Sequence, residues 1–164
     1  MLWIVAVLID YSAPYIGFWL PGLGSTPMSS WPLEGLHLLE RNQQVFIISL
    51  GESILLLGAV LVGTAIATPT LLAAAVGFGL IVTLWWLYFV HTTNTGEHAF
   101  EGETDHTRMA RSGLAYAHGI MVGGAIVTAV AIEEIIAYPA EAAHGPTILY
   151  AVFGPAIYLL GSAL

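Results

Sequence analysis

Five long apolar segments, separated by polar or Gly/Pro-rich connectors, dominate the pattern of the chain. An α-helix rises about 1.5 Å per residue, so about 20 apolar residues can cross a bilayer. The pattern therefore predicts an all-α, polytopic transmembrane helix bundle, a single domain with about five spanning helices. The predicted helices cover residues 2–20, 37–66, 70–92, 107–137 and 147–164.

The connector between the second and third segments is the clearest one. In "ATPT" at 67–70, Thr68 is the expected helix N-cap, and Pro69 fits the first helical position. So short a connector predicts that the two helices pack as an antiparallel pair. Neither the first nor the last segment has a polar flank. We therefore expect a fragment of a longer protein, whose partners are the lipid bilayer and the missing N-terminal helices; homo-oligomerisation stays open.

Composition explains why these segments need lipid. Hydrophobic residues make up 57% of the chain and charged residues 9%, and the mean hydropathy is +0.83. A soluble domain carries about 25% charged residues. A net charge of −8, with only three basic residues, leaves no basic patch for nucleic acid. Cysteine is absent, which excludes disulfides and thiolate metal sites, and no cofactor-binding motif is present, so no cofactor is expected.

The three arginines suggest an orientation. Arg41, Arg108 and Arg111 lie in or beside the connectors at 21–41 and 93–111. Five spans would place these two connectors on the same side of the membrane. Because basic residues concentrate in cytoplasmic loops, we expect both loops in the cytoplasm.

Ionisable residues share one face of the second predicted helix. At about 100° per residue, His37, Glu40, Arg41 and Glu52 fall within a stripe about 120° wide. Exposing a charge such as Asp to the bilayer centre costs about 2.5–3.5 kcal/mol. We therefore expect Glu52, with Ser53 beside it, to face other helices or a water-filled cavity. A protonated Glu52 that only hydrogen-bonds a carbonyl and serves packing is the alternative.

The fourth predicted helix repeats the arrangement. Arg111, His118 and Glu133 share one face, with small residues between them. On the adjoining face, Gly119 and Gly123 form a G-x-x-x-G pattern, which lets helix backbones approach closely. A buried histidine that is merely satisfied by its neighbours is an equal reading of His118.

The first segment adds a carboxylate at Asp10. Pro14 lies four residues later and has no N–H, so the Asp10 carbonyl loses its helical partner. A carboxylate beside a free carbonyl suits a cation or a proton. The simpler alternative is that Asp10 bonds a neighbouring helix.

Several stretches resemble the bacterial low temperature requirement protein A family: "HLLERNQQVFIISLGESILLLG" at 37–58, "LWWLYFVH" at 84–91 and "YAHGIMVGGAIVTAVAIEEII" at 116–136. The resemblance implies a polytopic protein of the bacterial inner membrane, about twice this length, of which this chain is the C-terminal portion. An acidic residue often follows Tyr-Phe in that family, and here Val90 stands there. The resemblance points to the residues His37, Glu40, Arg41, Gly51, Glu52, Ser53 and His118.

Three functions compete. We favour a proton- or cation-linked transporter or channel over a structural, membrane-adaptation protein whose polar stripes hold helices together. An intramembrane metal-dependent enzyme is the third hypothesis, for which the sequence offers no H-E-x-x-H and no catalytic residue. The candidate proton or ion path comprises Asp10, His37, Glu40, Arg41, Glu52, Ser53, Arg111, His118 and Glu133.

Overall fold

The computed structural model describes residues 2–26, 35–92 and 115–164, and it confirms an all-α fold. A π-helical turn, Tyr88–Thr92, extends the third helix, and residues 115–117 form a second π-type turn immediately before the fourth. The helices are α1 (Leu2–Ser12), α2 (Gly35–Gly63), α3 (Thr68–Leu87), α4 (His118–Ala137) and α5 (Gly145–Ser162).

Four helical stretches of the described residues are long and apolar enough to cross a membrane. The remaining helix, α1, has only 11 residues. It is about 16 Å long, which is shorter than the bilayer core of about 30 Å. The described residues therefore hold four candidate spans rather than the predicted five. These spans are His37–Gly63, Thr68–His91, Ala115–Ala137 and Gly145–Ser162.

The first helix ends earlier than the prediction of residue 20, and this boundary is corrected. Pro14 cannot donate to the ladder, so regular helix stops at Ser12. Beyond it, Gly17 and Phe18 both have positive φ angles, 62° and 51°, which reverse the chain direction. A bridge between the Leu20 and Gly24 main chains closes the resulting turn.

The connector between α2 and α3 is as short as predicted, but the N-cap residue of α3 differs from the predicted Thr68. Ala67 is the N-cap of α3, in extended conformation, and Thr68 is the first helical residue. Pro69 is therefore the second helical residue, one position later than predicted, and still lies in the first turn. Thr70 fastens the connector, because its hydroxyl donates to the Ala65 carbonyl at 3.0 Å. The part of the predicted fourth helix that precedes residue 115 lies outside the described residues.

Helix α4 is central and contacts α2, α3 and α5. Its closest approach is to α5, where glycines replace side chains. A β-carbon added at Gly124 would meet the backbone of Tyr158 and Gly154, and one at Gly161 would meet the Ala117 carbonyl at 2.8 Å. The helix contacts at this crossing therefore depend on glycine.

The G-x-x-x-G pattern at Gly119 and Gly123 does not make this contact. Gly119 lies against the phenol of Tyr11, and a β-carbon at Gly123 would meet no described atom within 4 Å. Gly124, one residue further, faces α5 instead. The described core combines large side chains from four helices: Phe46, Leu50, Ile81, Leu84, Tyr88, Met121, Ile132, Ile136 and Tyr158.

Candidate functional site

An aromatic cluster with one histidine joins α2, α3, α4 and α5. Phe46 stacks on Tyr88 with ring centroids 4.0 Å apart, and His118 meets both rings edge-on at 6.2 and 5.5 Å. Tyr158 completes the cluster from α5, and its hydroxyl donates to the Leu84 carbonyl at 3.3 Å. Because all four rings are at least 95% buried, His118 is held in a fixed orientation inside the bundle.

His118 has one ring nitrogen engaged and one unused. Its Nδ1 lies 3.4 Å from the Tyr88 hydroxyl, a long hydrogen bond whose direction depends on the histidine tautomer. Nε2 is buried and makes no well-formed hydrogen bond with a described residue, and the Asn42 main chain beside the ring offers it only a weak one. A buried polar nitrogen without a partner is uncommon and calls for an explanation.

Two π-type turns position this pair. Tyr88 is the first residue of the turn that extends α3, and His118 directly follows the turn at 115–117. An α-helix that widens into a π-turn shifts the register of its side chains, and such turns occur frequently at functional sites. Both turns flank the acidic connector at 93–114, which lies outside the described residues.

Aromatic contacts anchor the end of α1 to α4 beside His118. The Tyr116 hydroxyl donates to the Tyr11 carbonyl at 2.6 Å. The Tyr116 ring lies 5.6 Å from that of Tyr11 and 5.1 Å from that of Tyr15, and Gly119 leaves room for the Tyr11 phenol. These contacts bring Asp10, which precedes Tyr11, to the face of α4 that carries His118.

A cavity of about 450 Å³ lies between α1, α2 and α4. Its lining includes Asp10, Asn42 and His118, together with the phenols of Tyr11 and Tyr116. Of the predicted path residues, Asp10 and His118 are therefore brought together, although 108 positions separate them in sequence. The cavity lies near the ends of the spans, because Asn42 and His118 are only five and three residues from the first residues of theirs.

The predicted α2 stripe faces away from this cluster. His37, Glu40, Arg41 and Glu52 are all exposed, whereas α2 directs Phe46 into the bundle. His37 and Glu40 contact each other at 3.7 Å, with about 70% of each side chain exposed. The α2 and α4 stripes therefore do not face each other within the described helices, and the role of the α2 residues stays a prediction.

The remaining predicted residues are scattered. Ser53 is buried, and its hydroxyl donates to the Ser49 carbonyl at 3.0 Å, so its hydrogen bond lies within its own helix. Glu133 is half-buried, fifteen residues and about 22 Å along α4 from His118, so the structure does not bring these two together. Arg111 lies outside the described residues.

A second cavity, of about 400 Å³, lies where α4 connects to α5. The Glu134 carboxylate accepts a hydrogen bond of 2.5 Å from the Thr147 hydroxyl there, and Glu141 and His144 also line the space. Glu134 thus ties α4 to the first turn of α5. In the part of the chain that the structure describes, no group of three or more His, Asp or Glu side chains could hold a metal ion.

Sequence reasoning missed the aromatic members of the site. Tyr88 lies in the "WWLYF" run, where a membrane-interface position is the ordinary expectation, yet it is 1% exposed. Asn42 and Phe46 are spaced four apart, on the face of α2 opposite the charged stripe. That spacing is the sequence signal that places Asn42 and Phe46 together on one face. Nothing in the sequence marks the π-type turns.

Fold and cavity define a multi-pass membrane helix bundle with a cavity at one end that Asp10 and His118 help to line. The chain matches the family of the bacterial low temperature requirement A protein (LtrA) over residues 1–164, and it belongs to that family. It is 30% identical over 162 residues to a protein of Rhizobium meliloti (strain 1021) described as uncharacterized protein RA0937. The match covers 99% of this chain and 40% of that relative, so the chain spans less than half of the relative's length. No solved structure matches.

Proposed function

We propose that the protein is a proton- or cation-linked transporter or channel, with the cavity between α1, α2 and α4 as its opening at one membrane surface. One observation carries the proposal: Asp10 and His118 line the same cavity, and the buried Nε2 of His118 makes no well-formed hydrogen bond with a described residue. Such a nitrogen is free to bind a proton or a cation that enters the cavity.

The two side chains have complementary chemistry. The Asp10 carboxylate attracts cations to the cavity, and an imidazole nitrogen can accept and release a proton. The Tyr88 hydroxyl at Nδ1 orients the ring, which leaves Nε2 for exchange. Tyr11 and Tyr116 line the same space.

Glu52 is the deeper group of the proposed path. Val45 lines the cavity, and Glu52 lies seven residues further along α2, which is about two turns and 10 Å on the same side of the helix. A proton that moves from the cavity toward the bilayer centre along this side would reach Glu52 next. Residues from outside this chain would have to shield that route from lipid.

The proposed setting is the bacterial inner membrane, with residues 21–41 and 93–111 in the cytoplasm. The arginine distribution supports this orientation. The cavity would then open to the cytoplasm, because α2 and α4 begin at that side. Cysteines introduced singly at Ser25 and Ala142, in a chain that has none, test the orientation. An impermeant maleimide added to intact cells should label the second and spare the first; the reverse pattern would invert the orientation.

Flux through the full-length protein tests the transport proposal. Wild-type protein in liposomes, with a pH-sensitive dye inside, is compared with Asp10→Asn and His118→Gln under imposed gradients of H⁺, Na⁺ and K⁺. We expect both variants to lose flux while their gel-filtration profile and melting temperature stay near wild type. Glu141→Gln and His91→Gln are matched controls on exposed residues outside this cavity, and they should retain flux.

Two results would favour other functions. Full flux in folded Asp10→Asn and His118→Gln protein would remove the cavity from any transport path. No flux in wild type, combined with a lower melting temperature of both variants, would favour the structural role in which these polar groups hold helices together.

A further inference from the structure

The outward face of α2 carries an acidic side chain among exposed apolar residues. Glu52 is exposed near the middle of the span His37–Gly63, and its apolar neighbours on that face, Ile48 and Leu55, are each 69% exposed. Ser53, the next residue, is buried against the bundle. Glu52 therefore projects away from all the described helices, at a depth where lipid is the alternative neighbour.

Lipid is a poor neighbour for this face. Exposing an acidic side chain to the bilayer centre costs about 2.5–3.5 kcal/mol, and such residues almost always face protein or a water-filled cavity. The cost falls if the carboxyl is protonated, but a hydrogen-bond donor and acceptor then still lack partners. The face therefore needs an occupant that can hydrogen-bond.

The glycines of α2 point to the same conclusion. A β-carbon added at Gly51 or Gly58 would meet no described atom within 4 Å. Elsewhere in the bundle, Gly77 and Gly154 lie in tight helix contacts that an added β-carbon would block. Gly51 and Gly58 are seven residues apart and share one side of α2, so they leave a shallow groove beside Glu52 that suits a closely packed helix.

We propose that the face of α2 around Glu52 packs against transmembrane helices from the part of a longer polypeptide that this chain does not include. The Rhizobium meliloti relative supports this occupant, because this chain covers only 40% of its length. A second copy is less suitable. A two-fold symmetric contact on this face would bring two Glu52 carboxyls together, and like charges in a membrane repel.

The occupant needs a particular chemistry. It is a helix with small residues opposite Gly51 and Gly58, and with a hydrogen-bond donor at the depth of Glu52. Such a helix would also close the lipid-facing side of α2. This packing proposal does not depend on transport, and it can hold whether or not the cavity conducts ions.

Spin labels in the full-length protein test the packing. The 164 residues contain no cysteine, so single cysteines at Leu55 and Val76 can be labelled once any cysteines elsewhere are replaced. The two sites are matched: they are 69% and 72% exposed, and they lie eight residues before the end of α2 and eight after the start of α3. Accessibility to oxygen, which concentrates in lipid, and to a water-soluble nickel chelate is then measured in bilayers.

The outcomes separate the occupants. We expect the label at Leu55 to be at least threefold less accessible to oxygen than the label at Val76, and inaccessible to the nickel chelate. Equal or greater oxygen accessibility at Leu55 would place this face in lipid and overturn the proposal. Strong spin–spin coupling between copies that are singly labelled at Leu55 would also overturn it, because the occupant would then be a second copy.

Discussion

Phe46 is completely buried, and it supports the orientation of both Tyr88 and His118. Truncating a buried Phe to Ala costs about 3–5 kcal/mol in water-soluble proteins, where part of the loss is transfer from water. A side chain that unfolds into lipid loses only its packing. We therefore expect Phe46→Ala to lower the free energy of unfolding by about 2 kcal/mol, measured by denaturation in mixed micelles.

Phe153→Ala provides the control for this loss. The same atoms are removed from a ring that is 54% exposed on α5, so little packing disappears. Equal destabilisation by the two substitutions would mean that the cluster around His118 contributes no more packing than the outer surface does.

At the scale of the residue, the sequence identifies which groups are chemically unusual but not where they point. Glu52 and Ser53 are adjacent and both polar, yet one is exposed and the other buried. Helical periodicity correctly groups His37, Glu40, Arg41 and Glu52 on one side. It cannot tell whether that side faces α4, because the answer depends on which face of α2 packs best around Phe46.

The contact between α4 and α5 offers a test at the scale of the helix. Gly123 and Gly124 are neighbours in "GIMVGGA", and only Gly124 lies against α5. Backbone atoms of Tyr158 and Gly154 would block a β-carbon there, so the helices would have to separate. We expect Gly124→Ala to cost about 1–3 kcal/mol of unfolding free energy, as overpacked cores do.

Gly123→Ala is the matched control one residue away. A β-carbon at Gly123 meets no described atom, and Ala is favoured over Gly in a helix by about 1 kcal/mol. We expect this variant to unfold at the same denaturant concentration as wild type or a higher one. The opposite ranking of the two variants would place another helix against Gly123.

Helix existence was predictable because long apolar segments have few other solutions in lipid. The ends of the helices are harder to predict. The apolar run of the first segment continues to residue 20, but Pro14 and the positive φ of Gly17 end the helix at Ser12. Pro14 is visible in the sequence, and it ends the helix even though the apolar run continues past it. The choice between Gly123 and Gly124 needs the rotation of α4 about its axis, which the three-dimensional packing decides.

At the scale of the whole molecule, Glu52 serves both proposals, and two substitutions in the full-length protein separate its roles. Glu52→Gln keeps hydrogen-bonding capacity but cannot titrate, so we expect lost flux with a melting temperature near wild type. Glu52→Leu removes both properties. We expect it to lose flux and about 0.6–1.7 kcal/mol of stability, the range for hydrogen bonds between membrane helices.

Glu52→Gln tests the transport proposal, and Glu52→Leu tests the packing proposal. Each variant can contradict its own proposal and leave the other unaffected. Full flux in Glu52→Gln would take Glu52 out of the transport path and leave its packing role intact. A Glu52→Leu protein as stable as wild type would mean that no helix bonds the carboxyl, so that its exposure in these 164 residues persists in the longer protein. Liposome flux and thermal unfolding are therefore measured on the same two preparations. Either measurement alone would not separate a role of Glu52 in transport from a role in helix packing.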